Sequence, residues 1–172
     1  DFGAALPGLR TKLDADVILV SDTTMLAPDQ PALTYALRGI VYTQIEVVGP
    51  TRDLHSGEFG GSVMNPANAL AGIVAGLKDA EGRITVPGFY DHVRELSATE
   101  AKAYQEMPFD EAGFIAESGA PAAWGEKGRS TLERIWSRPT LDVNGMWSGY
   151  TGEGSKTVLP SFAAAKVSMR LV

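Results

Sequence analysis

The sequence predicts an α+β domain, an antiparallel sheet with helices on one face, preceded by a short segment of different texture. Three observations carry this. Near the end of the chain Ala163, Ala165, Val167, Met169 and Leu171 alternate with Lys166, Ser168 and Arg170, the period of two of a strand with one apolar face. Val41, Thr43, Ile45 and Val47 repeat the pattern against Tyr42, Gln44 and Glu46. Between these strands Ala67, Leu70, Ile73, Val74 and Leu77 recur at helical spacing, one apolar stripe to cover one sheet face.

In chain order, residues 1–16 form a short, weakly capped segment from Leu6 to Leu13 that ends in Asp14-Ala15-Asp16. Val17-Ile18-Leu19-Val20 is a continuous apolar run, as in strands buried on both faces of a parallel sheet. It stops at Ser21-Asp22-Thr23-Thr24. Asp22, just past such a strand, stands where open α/β sheets place ligand and metal groups. It stands equally where an Asp closes a turn on its own backbone. Residues 27–37, with Pro28 and Pro31, read as a linker. The one-sided strand that starts at Gly39 then marks entry into a differently built unit.

Asp53-Leu54-His55-Ser56-Gly57-Glu58-Phe59-Gly60-Gly61 lies between strand and helix and holds one of only two histidines. A histidine on a glycine-rich loop between rigid elements is presented to something outside the core. The bland alternative is a tight turn with an incidental surface histidine. Asn65 and Pro66 open the helix as N-cap and first residue, and Gly82 is expected to stop it. Arg83 to Val86 reads as a short strand closed by Pro87-Gly88. Ser97 and Glu100 make a capping box ahead of a helix, Phe109 to Glu117 suggests another, and 119–128 is a loop. Ser130 to Trp136 reads as a helical turn. His92 reads as a solvated surface group. Trp124, Trp136 and Trp147 read as packing residues, because no basic residues are interleaved with them. Thr140 to Val143 alternates as a strand, and a glycine-rich passage from Asn144 to Thr157 leads to the final strand.

The chain has 172 residues, 44% of them hydrophobic and 21% charged, enough for one domain with a real core. No run approaches the 18 or so apolar residues of a membrane span. A net charge of −6 with no basic cluster argues against nucleic acid as partner. The absence of cysteine excludes disulfides and thiolate chemistry and fits a reducing, cytoplasmic compartment. A start without Met and an end at Val172 within a strand read as a fragment.

A catalytic zinc site needs three protein ligands and an open position. With two histidines, no cysteine, no adjacent Glu-Glu and no His-x-Asp, this chain does not assemble such a centre by itself. It also lacks a Gly-x-Ser-x-Gly elbow, and the glycines at 57–61 lack the Lys-Ser/Thr of a phosphate loop.

Four motifs nevertheless stand in a telling order. They are Val20-Ser21-Asp22, Leu37-Arg38-Gly39, Asp53-Leu54-His55-Ser56-Gly57 with Gly60-Gly61-Ser62, and Gly152 to Pro160 followed by Ala165 to Val172. Together they resemble the zinc metallopeptidase family of carnosine dipeptidases, aminoacylases and related carboxypeptidases, in particular its dipeptidase branch. The resemblance implies a catalytic domain with two zinc ions, manganese being the alternative, and a smaller ferredoxin-like lid or dimerisation domain inserted into it. Residues 1–34 would be the end of the first catalytic-domain segment and 35–172 the lid. It further implies a metal ligand at Asp22 and an oxyanion-stabilising histidine at His55 that reaches into the partner's active site. Arg170 is expected on the substrate's terminal carboxylate, with Thr157 near the same end. Because the remaining metal ligands and the general base are absent, the chain is expected to be inactive alone and to hold no zinc tightly. It would supply a homodimer interface and accessory residues for hydrolysis of dipeptides or related amides. The competing readings are a free-standing dimerisation or binding module, an aminoacylase or deacylase of the same family, and an anion binder at loop 57–61.

Overall fold

The computed structural model describes residues 2–19, 25 and 29–172, which fall into two units, 1–36 and 37–172. In the first, helix α1 (Phe2–Leu9) runs into a 3-10 turn at Arg10–Lys12. Val17, Ile18 and Leu19 are 80–88% exposed and belong to no strand, which corrects the expectation of a buried parallel strand there. A two-sided strand needs neighbours on both edges and both faces, and the described residues supply none.

The second unit combines an antiparallel three-stranded sheet with helices, of which Pro66–Gly76 packs on the sheet. Strands β1 (Gly39–Val48), β2 (Leu54–His55), helices α2 (Ser56–Phe59), α3 (Pro66–Gly76), α4 (Ala98–Glu106) and α5 (Glu111–Ser118), and strands β3 (Thr140–Ser148), β4 (Val158–Leu159) and β5 (Phe162–Leu171) follow in order. The sheet order is β1-β5-β3, so the last strand is central. A separate ladder pairs β2 with β4 over two residue pairs, Leu54 with Leu159 and His55 with Val158.

Local chemistry explains most boundaries. The Asn65 side chain accepts from Ala67 N–H at 2.9 Å and Pro66 occupies the first turn, so α3 starts where both residues satisfy otherwise orphaned positions. The helix ends at Gly76, earlier than expected; Gly82, at φ +74°, instead closes the turn from Asp79. Residues 83–86 form no strand, only a single bridge between Lys78 and Ile84. Ser97 and Glu100 form the capping box of α4. Asp110 caps α5 by accepting from Gly113 N–H, and 133–137 is a wide turn closed by Arg138 N–H on the Glu133 carbonyl. β3 runs through Asn144-Gly145, beyond its expected end, because a bulge between Val143 and Gly145 keeps it in register with β5.

The core forms where α3 crosses the start of β5. Leu70, Ala163 and Ala165 are almost wholly buried, with Ile45, Val47 and Val74 packed around them. Ala163 and Ala165, on one face of β5, leave room for the helix to approach the central strand closely. Gly49 serves the same approach: a Cβ there would meet Pro66 Cγ at 2.5 Å. Ile84, Leu141 and Val167 make a second cluster with Phe89, Tyr90 and Met169. Beside it Arg138, 3% exposed, donates two bonds to Glu126 at 2.8 and 2.7 Å and one to Glu95 at 3.0 Å. Two tryptophans depart from the packing role expected of them. Trp124 is 72% exposed under Lys78, and Trp147 lies under Lys166, cations brought up by the fold rather than by sequence. Trp136 meets Tyr104 edge to face. Among the described residues no helix is long and apolar enough to cross a membrane.

Candidate functional site

The turn that follows β1 is built around one imidazole. His55 ends β2 and is the N-cap of the single-turn helix α2. Its Nδ1 accepts the Gly57 backbone N–H at 3.0 Å. That bond commits the Nδ1 lone pair, so in this arrangement the ring proton sits on Nε2. Nε2 lies 3.1 Å from Thr157 Oγ1 and donates to it. A larger residue at 57 would displace the imidazole, because a Cβ would stand 2.7 Å from His55 Cε1. The imidazole is exposed, with its one N–H directed at Thr157.

Two groups that sequence reasoning did not single out complete the frame. Asp53 Oδ1 accepts both the Ser161 N–H and the Ser161 hydroxyl, each at 2.8 Å. The Ser161 N–H, then its hydroxyl, hold the Asp53 carboxyl below the usual carboxylate range, and Lys156 adds to this. The Ser161 carbonyl in turn accepts from Gly49 N–H at 2.8 Å, and Ser56 N–H donates to the Thr157 carbonyl at 3.0 Å. Asp53 was visible only as a letter beside the histidine, and Ser161 gave no signal, since their contact spans 108 positions. Next to this frame a cavity of about 400 Å³ is lined by Ser56, Ser62, Asn65, Asn68 and Leu159.

Arg170 stands elsewhere. It lies near the end of β5, opposite Ile40 on one side and Thr140 on the other, exposed. The step from Phe162 to Arg170 spans roughly 27 Å of extended strand. Thr157 is thus brought to His55 and not to Arg170. Among the described residues Arg170 makes no ion pair. Its nearest charged company includes Arg38, whose guanidinium donates to the Arg134 and Arg138 carbonyls at 3.3 Å each. Burial, then the Arg170 charge, lowers Arg38 below the ordinary arginine value. The Asp142 carboxylate acts on Arg38 in the opposite direction. Asp22, the expected metal ligand, lies outside the described residues. Among those residues no group of three or more Asp, Glu or His side chains could hold a metal ion.

Residues 35–172 match the peptidase dimerisation domain of the M20 peptidases. The chain belongs to the M20 peptidase dimerisation-domain family. Over 158 residues it is 39% identical to the Cys-Gly metallodipeptidase Dug1 of Schizosaccharomyces pombe, covering 92% of this chain and 33% of that protein. It is 33% identical to human Beta-Ala-His dipeptidase, covering 91% of this chain and 31% of the relative. The M20 family metallo-carboxypeptidase of Sulfolobus solfataricus superposes with a TM-score of 0.79 at 32% identity, over all of this chain and 45% of that one. The chain thus spans about a third of the length of the curated relatives it matches. The family resemblance read from the motifs is borne out, as is the antiparallel α+β architecture of the M20 dimerisation domain.

Proposed function

We propose that this chain is the lid and dimerisation part of a metallodipeptidase, with residues 1–34 the end of the first catalytic-domain segment and residues 35–172 the lid. Its relatives are named as dipeptidases of Cys-Gly and Beta-Ala-His. In this reading His55 donates from Nε2 to the oxyanion that develops on the scissile carbonyl, a charge present only near the transition state. Thr157 accepts the same N–H at rest and lies beside the substrate when the site closes. Arg170 holds the terminal carboxylate through two parallel hydrogen bonds. Zinc, or manganese in its place, is held by the catalytic part, with Asp22 as one ligand. When bound, that ion would supply an activated water for the hydrolysis. A chain without cysteine suits a reducing cytoplasmic setting.

The observation that carries the reading is the separation of His55 and Thr157 from Arg170. A dipeptide extends about 7 Å, far less than the roughly 27 Å of β5 between the two ends. One substrate therefore takes Arg170 from one protomer and His55 with Thr157 from the other. The reading is of a homodimer whose sites are shared. β1 and β3 each pair only with β5 among the described residues, which leaves strand edges for a partner copy.

Mixing two variants of the complete enzyme tests this. His55→Ala alone is expected to lower turnover by on the order of a hundredfold or more. Subunits of H55A and R170A, each nearly inactive, are expected to regain about a quarter of wild-type activity when exchanged. Half the dimers are then mixed, and each mixed dimer has one intact site of two. No recovery despite proven subunit exchange would place both groups in one protomer's site and sink the shared arrangement.

A further inference from the structure

The His55 turn hangs on a ladder of two residue pairs, too short to hold itself in water. One contact, made by a side chain with no other described bond, ties it down. Asp53, immediately before β2, clasps the backbone and hydroxyl of Ser161, immediately before β5. β5 is the central strand of the sheet, and Ala163, Ala164 and Ala165 are fully buried at its start. The opposite end of the ladder is closed by Ser56 N–H on the Thr157 carbonyl, which brings in the residue that accepts the His55 proton.

We propose that Asp53 is a positioning residue. Its carboxylate fixes the distance between the His55 and Thr157 backbones, and with it the direction of the Nε2–H. This rests on the reading of His55 as an oxyanion donor, and it adds a group on which the donor's aim depends. Asp53 is exposed, so its contribution to overall stability is small. A misplacement of about 1 Å at a reacting group, in contrast, costs up to a hundredfold in rate.

The test uses the complete enzyme and four variants. Asp53→Ala is expected to lower kcat by roughly tenfold or more with KM and Tm little changed. Asp53→Asn keeps the accepting oxygen and is expected to recover most of the loss. Ser161→Ala, which removes one of two bonds, is expected to fall between. In the His55→Ala background, Asp53→Ala is expected to add nothing further. Ring ¹⁵N shifts of His55 supply a readout independent of activity: an Nε2–H bonded to Thr157 in the wild type, and that bond weakened in D53A. If H55A cripples the enzyme while D53A leaves kcat and the ¹⁵N shifts unchanged, Asp53 has no positioning role. Loss of kcat and Tm together in D53A and S161A, additive with H55A, would overturn it in favour of a purely structural one. If H55A is itself harmless, the oxyanion role fails, and the ¹⁵N shifts of D53A still decide whether the clasp orients the ring.

Discussion

At Arg170 and His55 the chemistry of single side chains is set by what surrounds them. Arg170 stands on an exposed strand face with no carboxylate paired to it among the described residues, and Arg38 adds a second positive charge nearby. A guanidinium so placed is expected to choose substrates by their terminal carboxylate. Replacing it removes a charge-assisted bond worth about 1.5–3 kcal/mol. Arg170→Ala should therefore reduce kcat/KM on free dipeptides by on the order of tenfold to a hundredfold, and on the matching dipeptide amides far less. Parallel assays on both substrate series check this, and equal losses would remove Arg170 from the carboxylate pocket. His55 differs in kind. Its residue type was legible as a candidate donor from the glycines around it. Which nitrogen carries the proton was not, because that depends on the Gly57 N–H and on Thr157, which lies 102 positions away.

Among the elements, α3 and β3 show where local signals suffice and where they fail. Asn65 and Pro66 place the start of α3 unaided, since both act within one turn of the backbone. Asn65→Ala is accordingly expected to cost about 1 kcal/mol of stability, read as a lowered midpoint in urea with an unchanged slope. A helix N-terminus that needed no side-chain cap would show no shift. The helix stop was misjudged because Gly82 serves a later turn, at positive φ, and Leu77 ends the helix on the Val74 carbonyl instead. β3 continues through Asn144-Gly145 although both are poor strand formers. Its ladder with β5 compensates, and that partner lies outside the local window that propensity reads. The same cause makes Arg83 to Val86 a mere bridge: an alternating pattern is no strand without a neighbour to bond.

Across the second unit, several carboxyl groups are held below their ordinary values. Pairing with Arg94, then the Ser97 hydroxyl and N–H, lowers Glu100. Burial pushes Glu126 upward, but the bonds from Arg138 together with the charges of Arg138, Arg129 and Arg83 outweigh it. Burial likewise raises Glu133, and the Ser130 N–H and hydroxyl with Arg129 reverse the direction. Such groups bind fewer protons folded than unfolded, so stability rises with pH across their range. Their contribution is complete above the ordinary glutamate value of 4.5 and is lost as pH falls through the lower folded values. Thermal melts from about pH 7 to about pH 3 are expected to stay level and then drop below the mid-fours. Glu126→Gln should lower the plateau and flatten the drop; a wild-type Tm rising on acidification would refute the account.

The amino-acid order alone was enough for what local chemistry and periodicity control: the one-sided strands, the Asn-Pro helix start, the capping box, and motifs specific enough to show the M20 family. Those features depend on residues within a few positions of one another, or on a pattern repeated along one element. Only the folded chain could show that β5 is the central strand, that Asp53 clasps Ser161, and that Thr157 joins His55 while Arg170 stands at the far end of the same strand. These facts arise from contacts between separate elements, many of them across a hundred positions or more. Periodicity tells a strand which face is apolar, but not which strand lies beside it.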